Sequence, residues 1–162
     1  MEQQKYSFDF QVFEDIESLN TADAALLQKA REITVQAYAP YSNFLVGAAA
    51  LLNNNQIITG TNQENASYPV GICAERVLLA AVASLHPNMP IRTIAISYQS
   101  LKGKSNHPVS PCGMCRQSLV EYEKRVQQPI RLLLSGMQGK VIVIEEANAL
   151  LPLSFSGNDL SK

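Results

Sequence analysis

The sequence predicts an α/β fold, an open mixed sheet of about five strands covered by helices. Apolar positions recur at helical spacing in two separate stretches, a third helix is expected from its proline start, and short apolar runs of strand length lie between them. The two patterns interleave in the order α-β-β-α-β-α-β-β, which demands a parallel pair wherever a helix crosses between neighbouring strands.

Over residues 21–39, Leu26, Ala30, Ile33 and Ala37 share a helical face, and Pro40 closes the run. Residues 46–52 and 56–61 read as strands joined by Asn53-Asn54-Asn55, a triplet tolerant of left-handed backbone angles, so a hairpin is expected. Beyond a loop over 62–71, Leu78, Ala81, Val82 and Leu85 mark a second helix that ends before Pro87 and carries Cys73 and Glu75 in its first turn. Residues 91–98 form a nearly continuous apolar strand. A polar loop follows, then a third helix starting near Pro111 with Cys112 and Cys115 in its first turn. Residues 130–134 and 141–144 supply two more strands around Gly136 and Gly139, with a short helical segment and a Pro-containing tail after them. Both cysteine-bearing helices begin just after a loop or strand end, where ligands collect in α/β sheets.

With 162 residues, 46% of them hydrophobic and 17% charged, the chain has material for one core, and a single unit over 1–162 is expected, with residues 1–20 as an N-terminal extension. The first dozen residues or so and the last few are the candidates for disorder. A net charge of -1, a pI near 6.1 and the lack of a Lys/Arg cluster argue against a nucleic-acid partner. No segment has the pattern of a signal peptide or the length of a membrane span. Three cysteines, two of them in a C-x-x-C, suit thiolate chemistry in a reducing compartment, so a cytoplasmic location is expected.

Cys73-Ala74-Glu75 and Pro111-Cys112-Gly113-Met114-Cys115 together use every cysteine and match the zinc-deaminase pattern of a ligand, a glutamate two residues on, and Pro-Cys-x-x-Cys. Zinc takes thiolate ligands in a tetrahedral array, and a catalytic site keeps three protein ligands with the fourth position open to water. Cys112 and Cys115 share a helical face, and Cys73 comes from another helix start. Helix N-termini favour thiolate over thiol. One Zn²⁺ per chain is the expected cofactor. Three thiolates and Zn²⁺ sum to about -1, and Arg76 is either the cation that offsets this charge beside the ligands or a surface arginine on an exposed helix face. Glu75, not needed as a ligand, is the candidate proton carrier between water, a ring nitrogen and a departing amine. The competing reading of a C-x-x-C pair is a structural zinc site, which normally has four protein ligands. The two histidines, His86 and His107, each sit beside a proline as helix-end or loop residues.

At these residues the chain closely resembles the cytidine deaminase family in its small, homotetrameric, three-cysteine form. The likeness also takes in Tyr38-Ala39-Pro40-Tyr41-Ser42-Asn43-Phe44, Val46-Gly47-Ala48-Ala49, Asn62-Gln63-Glu64-Asn65-Ala66-Ser67-Tyr68-Pro69, Leu150-Leu151-Pro152 and Phe155. The resemblance implies a three-layer α/β/α architecture with a central mixed five-stranded sheet, and hydrolytic deamination of cytidine and 2'-deoxycytidine in pyrimidine salvage. It implies that Asn62 and Glu64 hold the ribose hydroxyls and that Phe44 packs on the pyrimidine. The Ala74 N–H would meet the base carbonyl oxygen, and the Ser110 carbonyl would accept from the amino group. Tyr68 and Phe155 match residues that family members contribute to a neighbouring subunit's site, so a homotetramer is expected. Read without the resemblance, Asn62 and Glu64 are loop residues after a strand, and Phe44 is an aromatic of the core.

The polar loop over 99–109 is longer than the family pattern, and Ser67 stands where cysteine is common. Two alternatives remain: a deaminase of the nucleoside antibiotic blasticidin S, which shares the metal motifs, and a non-catalytic zinc module, which needs a fourth ligand. A polynucleotide editor would need a basic groove, and a nucleotide deaminase would need a phosphate-binding cluster beside Asn62 and Glu64; neither is present in the sequence.

Overall fold

Alternation along the strands decides which side of the sheet each helix covers. The computed structural model describes residues 1–160; Ser161 and Lys162, the end of the span read as one unit, lie outside the described residues. In chain order the elements are β1 (Gln11–Phe13), α1 (Thr21–Ile33), β2 (Phe44–Leu52), β3 (Ile57–Thr61), α2 (Ala74–Leu85), β4 (Ile91–Ser100), α3 (Gly113–Val126), β5 (Arg131–Leu134) and β6 (Val141–Ile144). They build one sheet in the order β1-β6-β5-β4-β2-β3. β4 and β5 pair in parallel across the α3 crossover, and every other neighbouring pair is antiparallel.

Ala48, Ala50, Leu52, Ile94, Ile96, Leu132, Leu134 and Ile144 face α2 and α3, in one core with Leu78, Val82, Leu119 and Tyr122. The residues between them, Ala49, Ala95, Leu133 and Val143, pack against Leu26, Leu27 and Ala30 of α1. The result is the expected α/β/α sandwich. Among the described residues no helix is long and apolar enough to cross a membrane.

The sheet has six strands, not five. The extra strand, β1, comes from the stretch read as an extension: Gln11, Val12 and Phe13 pair with Val143, Ile142 and Val141, while Phe13, Ile16 and Leu19 pack on the core beneath α1. Three residues are too few to show a strand period in sequence. The first helix also stops earlier than its pattern suggests. At Ile33-Thr34-Val35 the β-branched residues disfavour helix, the Thr34 hydroxyl donates to the Arg31 carbonyl at 2.7 Å, and a 3-10 turn over Thr34–Gln36 leaves Ala37 outside.

Two contacts hold α2 and α3 where the site needs them. A Cβ on Gly60 would lie 2.6 Å from the Leu78 nitrogen and 2.7 Å from the Ala74 carbonyl oxygen, so only glycine lets the first turns of α2 lie directly on β3. From α3, the buried Glu123 carboxylate accepts from the N–H groups of Ile130 at 2.7 Å, Ala147 at 3.0 Å and Asn148 at 3.1 Å, joining the helix to the start of β5 and to the 3-10 turn over Ala147–Leu150. Burial pushes this carboxyl above its ordinary range against the pull of the three donors.

Glu123→Ala strands these buried donors and is expected to lower stability by about 2–4 kcal/mol. Glu123→Gln, which keeps an acceptor for the two donors sharing one oxygen, should lose less. Urea unfolding followed by circular dichroism measures both, and an unshifted alanine midpoint would contradict the brace.

Candidate active site

Cys73 and Cys112 are the N-cap residues of α2 and α3, each with extended backbone and neither side chain capping its helix. The sequence pattern starts the third helix near Pro111; the structure starts it at Gly113, which leaves Cys112 as cap and puts Cys115 in the third helical position. Cap and third position face each other at a helix start, the spacing by which a capping box closes. Here it brings the Cys112 and Cys115 sulfurs to 3.4 Å, and Cys73 Sγ lies 3.7 Å from Cys112 Sγ. All three sulfurs lie within 4.8 Å of one another.

Tetrahedral zinc with Zn–S bonds of about 2.3 Å needs sulfurs about 3.8 Å apart. The three thiols therefore fit one zinc ion, and among the described residues no fourth His, Cys, Asp or Glu joins the cluster. Hydrogen bonding from the Cys115 thiol brings Cys73 down to about 6, with Cys112 and Arg76 pulling the same way and burial and Glu75 opposing. Cys115, as the donor of that pair, is pushed up.

Glu75 follows Cys73 by two residues and is 6% exposed; burial raises its carboxyl above the usual range. It lines a cavity of about 220 Å³ with Phe44, Asn62, Cys73, Ala74, Ser110 and Cys112. Seven of the residues singled out in the sequence thus meet in one hollow, with Val46, Ile96 and Val109 as its apolar walls.

Asn62 is already engaged: its Oδ1 accepts from the Val46 N–H at 2.7 Å and its Nδ2 donates to the Phe44 carbonyl at 2.9 Å, which fixes the start of β2. Glu64 lines a separate hollow of about 400 Å³ with Tyr41, Ser42 and Tyr68. Burial works to raise its carboxyl, but the Ser42 side chain and the Tyr41 and Ser42 N–H groups outweigh this and hold it below its usual value. Tyr68 is 75% exposed and Phe155 58% exposed. Arg76 lines a groove between α2 and α3 with Gln117, Glu121 and Arg125.

Two side chains next to the metal turn gave no sequence signal beyond their type. Arg116 Nε donates to the Pro111 carbonyl at 2.8 Å and Nη1 to the Leu150 carbonyl at 3.1 Å, so it ties the residue before Cys112 to the 3-10 turn that Glu123 holds. Gln117 donates to the Phe155 carbonyl at 3.0 Å and tethers the tail. An arginine directly after the second cysteine of C-x-x-C is the one hint a sequence reader has.

Three thiols converging from two helix starts on one edge of an α/β/α sandwich, with a buried glutamate beside them, define a zinc metalloenzyme. Residues 20–128 match the family model for the cytidine and deoxycytidylate deaminase zinc-binding region. A cytidine deaminase from Halalkalibacterium halodurans is 35% identical over 136 residues, 84% of this chain and 96% of that protein. The 1.6 Å crystal structure of cytidine deaminase from Burkholderia pseudomallei superposes with a TM-score of 0.70 at 38% identity, covering 81% of this chain and 97% of that one. A blasticidin-S deaminase from Bacillus cereus is 28% identical over 87% of this chain and 97% of its own length. The chain belongs to the cytidine deaminase family, and zinc is its cofactor.

Alanine in place of any one of Cys73, Cys112 or Cys115 is expected to reduce bound zinc well below that of the wild type after dialysis, read by plasma emission spectroscopy. Arg116→Ala should leave the fold intact and lower zinc affinity by about 10-fold or more in competition with a chromogenic chelator. Unchanged affinity would remove Arg116 from the support of the metal turn.

Proposed function

We propose that this chain hydrolyses cytidine and 2'-deoxycytidine to uridine and 2'-deoxyuridine with release of ammonia, in pyrimidine salvage, and that Glu75 carries the protons. The observation that carries this reading is the placement of the buried Glu75 in one cavity with Cys73, Cys112 and the Phe44 ring. Cys73, Cys112 and Cys115 would hold the zinc ion, which would supply a Lewis acid able to activate a water molecule for attack.

Glu75 takes a proton from the attacking water and delivers it to the ring nitrogen next to the amino-bearing carbon. A C–O bond forms at that carbon. The remaining hydroxyl proton then passes through the same carboxyl to the amine, and the C–N bond breaks to give ammonia and the uracil ring. Glu75 ends as it began.

The Phe44 ring stacks on the flat pyrimidine. The Ala74 N–H, in the first turn of α2 where backbone donors have no helical partner, meets the base carbonyl oxygen. The Ser110 carbonyl accepts from the amino group. Asn62 keeps one amide hydrogen and one lone pair beyond its backbone bonds for a ribose hydroxyl, and the ionised Glu64 accepts from another. Arg76 offsets the charge of the thiolate cluster, in line with its pull on Cys73. The exposure of Tyr68 and Phe155 supports their burial against another copy of the chain, in a cytoplasmic homotetramer with shared sites.

The likeness to a blasticidin-S deaminase keeps that antibiotic as a second substrate to test. A structural zinc module is disfavoured, because three ligands rather than four meet at the cluster among the described residues.

Zinc-loaded wild type is expected to convert cytidine to uridine with one ammonia per turnover, followed by ultraviolet absorbance. Glu75→Gln should keep its zinc and lose about 10²- to 10⁴-fold in kcat. Wild type inert toward cytidine and deoxycytidine but active on blasticidin S would move the substrate, and full activity in Glu75→Gln would remove the proposed proton carrier. Light scattering on a size-exclusion column should give a mass near four chains; a fully active monomer would remove the shared sites.

A further inference from the structure

We propose that Tyr98, held by His107, is a positioning residue that fixes the Phe44 ring for the pyrimidine, an inference resting on the nucleoside reading above. The Phe44 and Tyr98 rings stack with centroids 4.6 Å apart and planes 16° from parallel. Tyr98 is only 1% exposed and extends from β4 two residues beyond Ile96, itself a wall of the base cavity. One face of Phe44 is therefore taken, and only the other can receive a flat ligand.

The Tyr98 hydroxyl lies 3.1 Å from His107 Nδ1, within hydrogen-bond distance. His107 belongs to the polar loop that follows β4 from residue 101 and runs into Val109 and Ser110 at the cavity wall. The loop has a firm seat. Its Ser105 hydroxyl accepts from the Ser100 N–H at 2.8 Å, and its Ser105 carbonyl accepts from the Gln138 N–H at 3.1 Å. A Cβ on Gly136 would collide with the Ser105 carbonyl, and one on Gly139 with the Asn106 carbonyl. Tyr98 is thus gripped by sheet packing at its base and by an anchored loop at its hydroxyl. Its ring backs Phe44 from behind.

Because Tyr98 acts through Phe44 and touches neither substrate nor metal, its loss should weaken ring binding and leave the chemical step alone. The test measures the uridine Kd by calorimetry, KM and kcat for cytidine, zinc content and Tm, for Tyr98→Leu, Tyr98→Phe, His107→Ala, Phe44→Leu and the Phe44→Leu/Tyr98→Leu double variant. Tyr98→Leu is expected to raise the uridine Kd and the cytidine KM about five- to tenfold, with kcat and zinc unchanged. Tyr98→Phe keeps the stack and loses the hydroxyl contact, so it and the surface change His107→Ala should share a smaller rise of about two- to threefold. In the Phe44→Leu background, Tyr98→Leu should weaken uridine no further.

A fall in Tm with unchanged Kd and KM, or losses that add fully in the double variant, would overturn the proposal. Should Tyr98→Leu fail to fold, an unchanged Kd in both Tyr98→Phe and His107→Ala overturns it instead. A wild type that neither turns over cytidine nor binds uridine overturns the nucleoside reading together with this one. An active wild type with unaffected variants overturns this one alone.

Discussion

Two helix N-termini meeting at one edge of the sheet are the constraint on which the rest of the molecule depends. β3 and β4 both run antiparallel to the β2 strand between them, so they point the same way, and the helices that follow them start on the same side. Direction alone would leave the helix starts a strand-width or more apart. Closure to a sulfur–sulfur distance of 3.7 Å needs α2 to lie against β3 at Gly60, and it needs the turn before α3 to be held by Arg116. The polar ties of α3 continue down its length through Gln117 and Glu123, so the same helix that presents two thiols also sets the turn and tail after β6.

Much of the site was legible in the sequence because its chemistry is written in local spacing. A cap and third-position pair of cysteines, and a glutamate two residues after another cap cysteine, specify their mutual geometry wherever a helix begins. The hairpin triplet was legible for the same reason: Asn55 has a φ of 65°, the left-handed angle such a triplet tolerates. The five strands and three helices expected from the sequence are all present, and the shortest strand, β1, was not expected.

What stayed hidden depends on contacts between distant residues. Glu123 carries no local signal of its role, yet it is 5% exposed and satisfies backbone donors on two other segments. His107 reads as a loop residue until the fold brings it to Tyr98, and Asn62, which without the resemblance reads as a loop residue after a strand, has its amide bonded to both sides of Leu45 in the β2 backbone. Glu64, near Asn62 in sequence, opens on a different hollow from the thiols. The division follows the elements: Asn62 closes the end of β3 against β2, while Glu64 turns back to cap the Tyr41 and Ser42 N–H groups.

Sulfur counting by zinc-edge X-ray absorption on the purified chain tests the convergence of the two helix starts most directly. Three sulfur neighbours and one oxygen neighbour per zinc, without the outer-shell scattering of an imidazole ring, are expected, because Cys73, Cys112 and Cys115 are the only cysteines and no further ligand joins them among the described residues. Two sulfurs, with Cys73 left out, would contradict the meeting of α2 and α3 at one ion. A shell closed by three sulfurs and a histidine would contradict a position open to water.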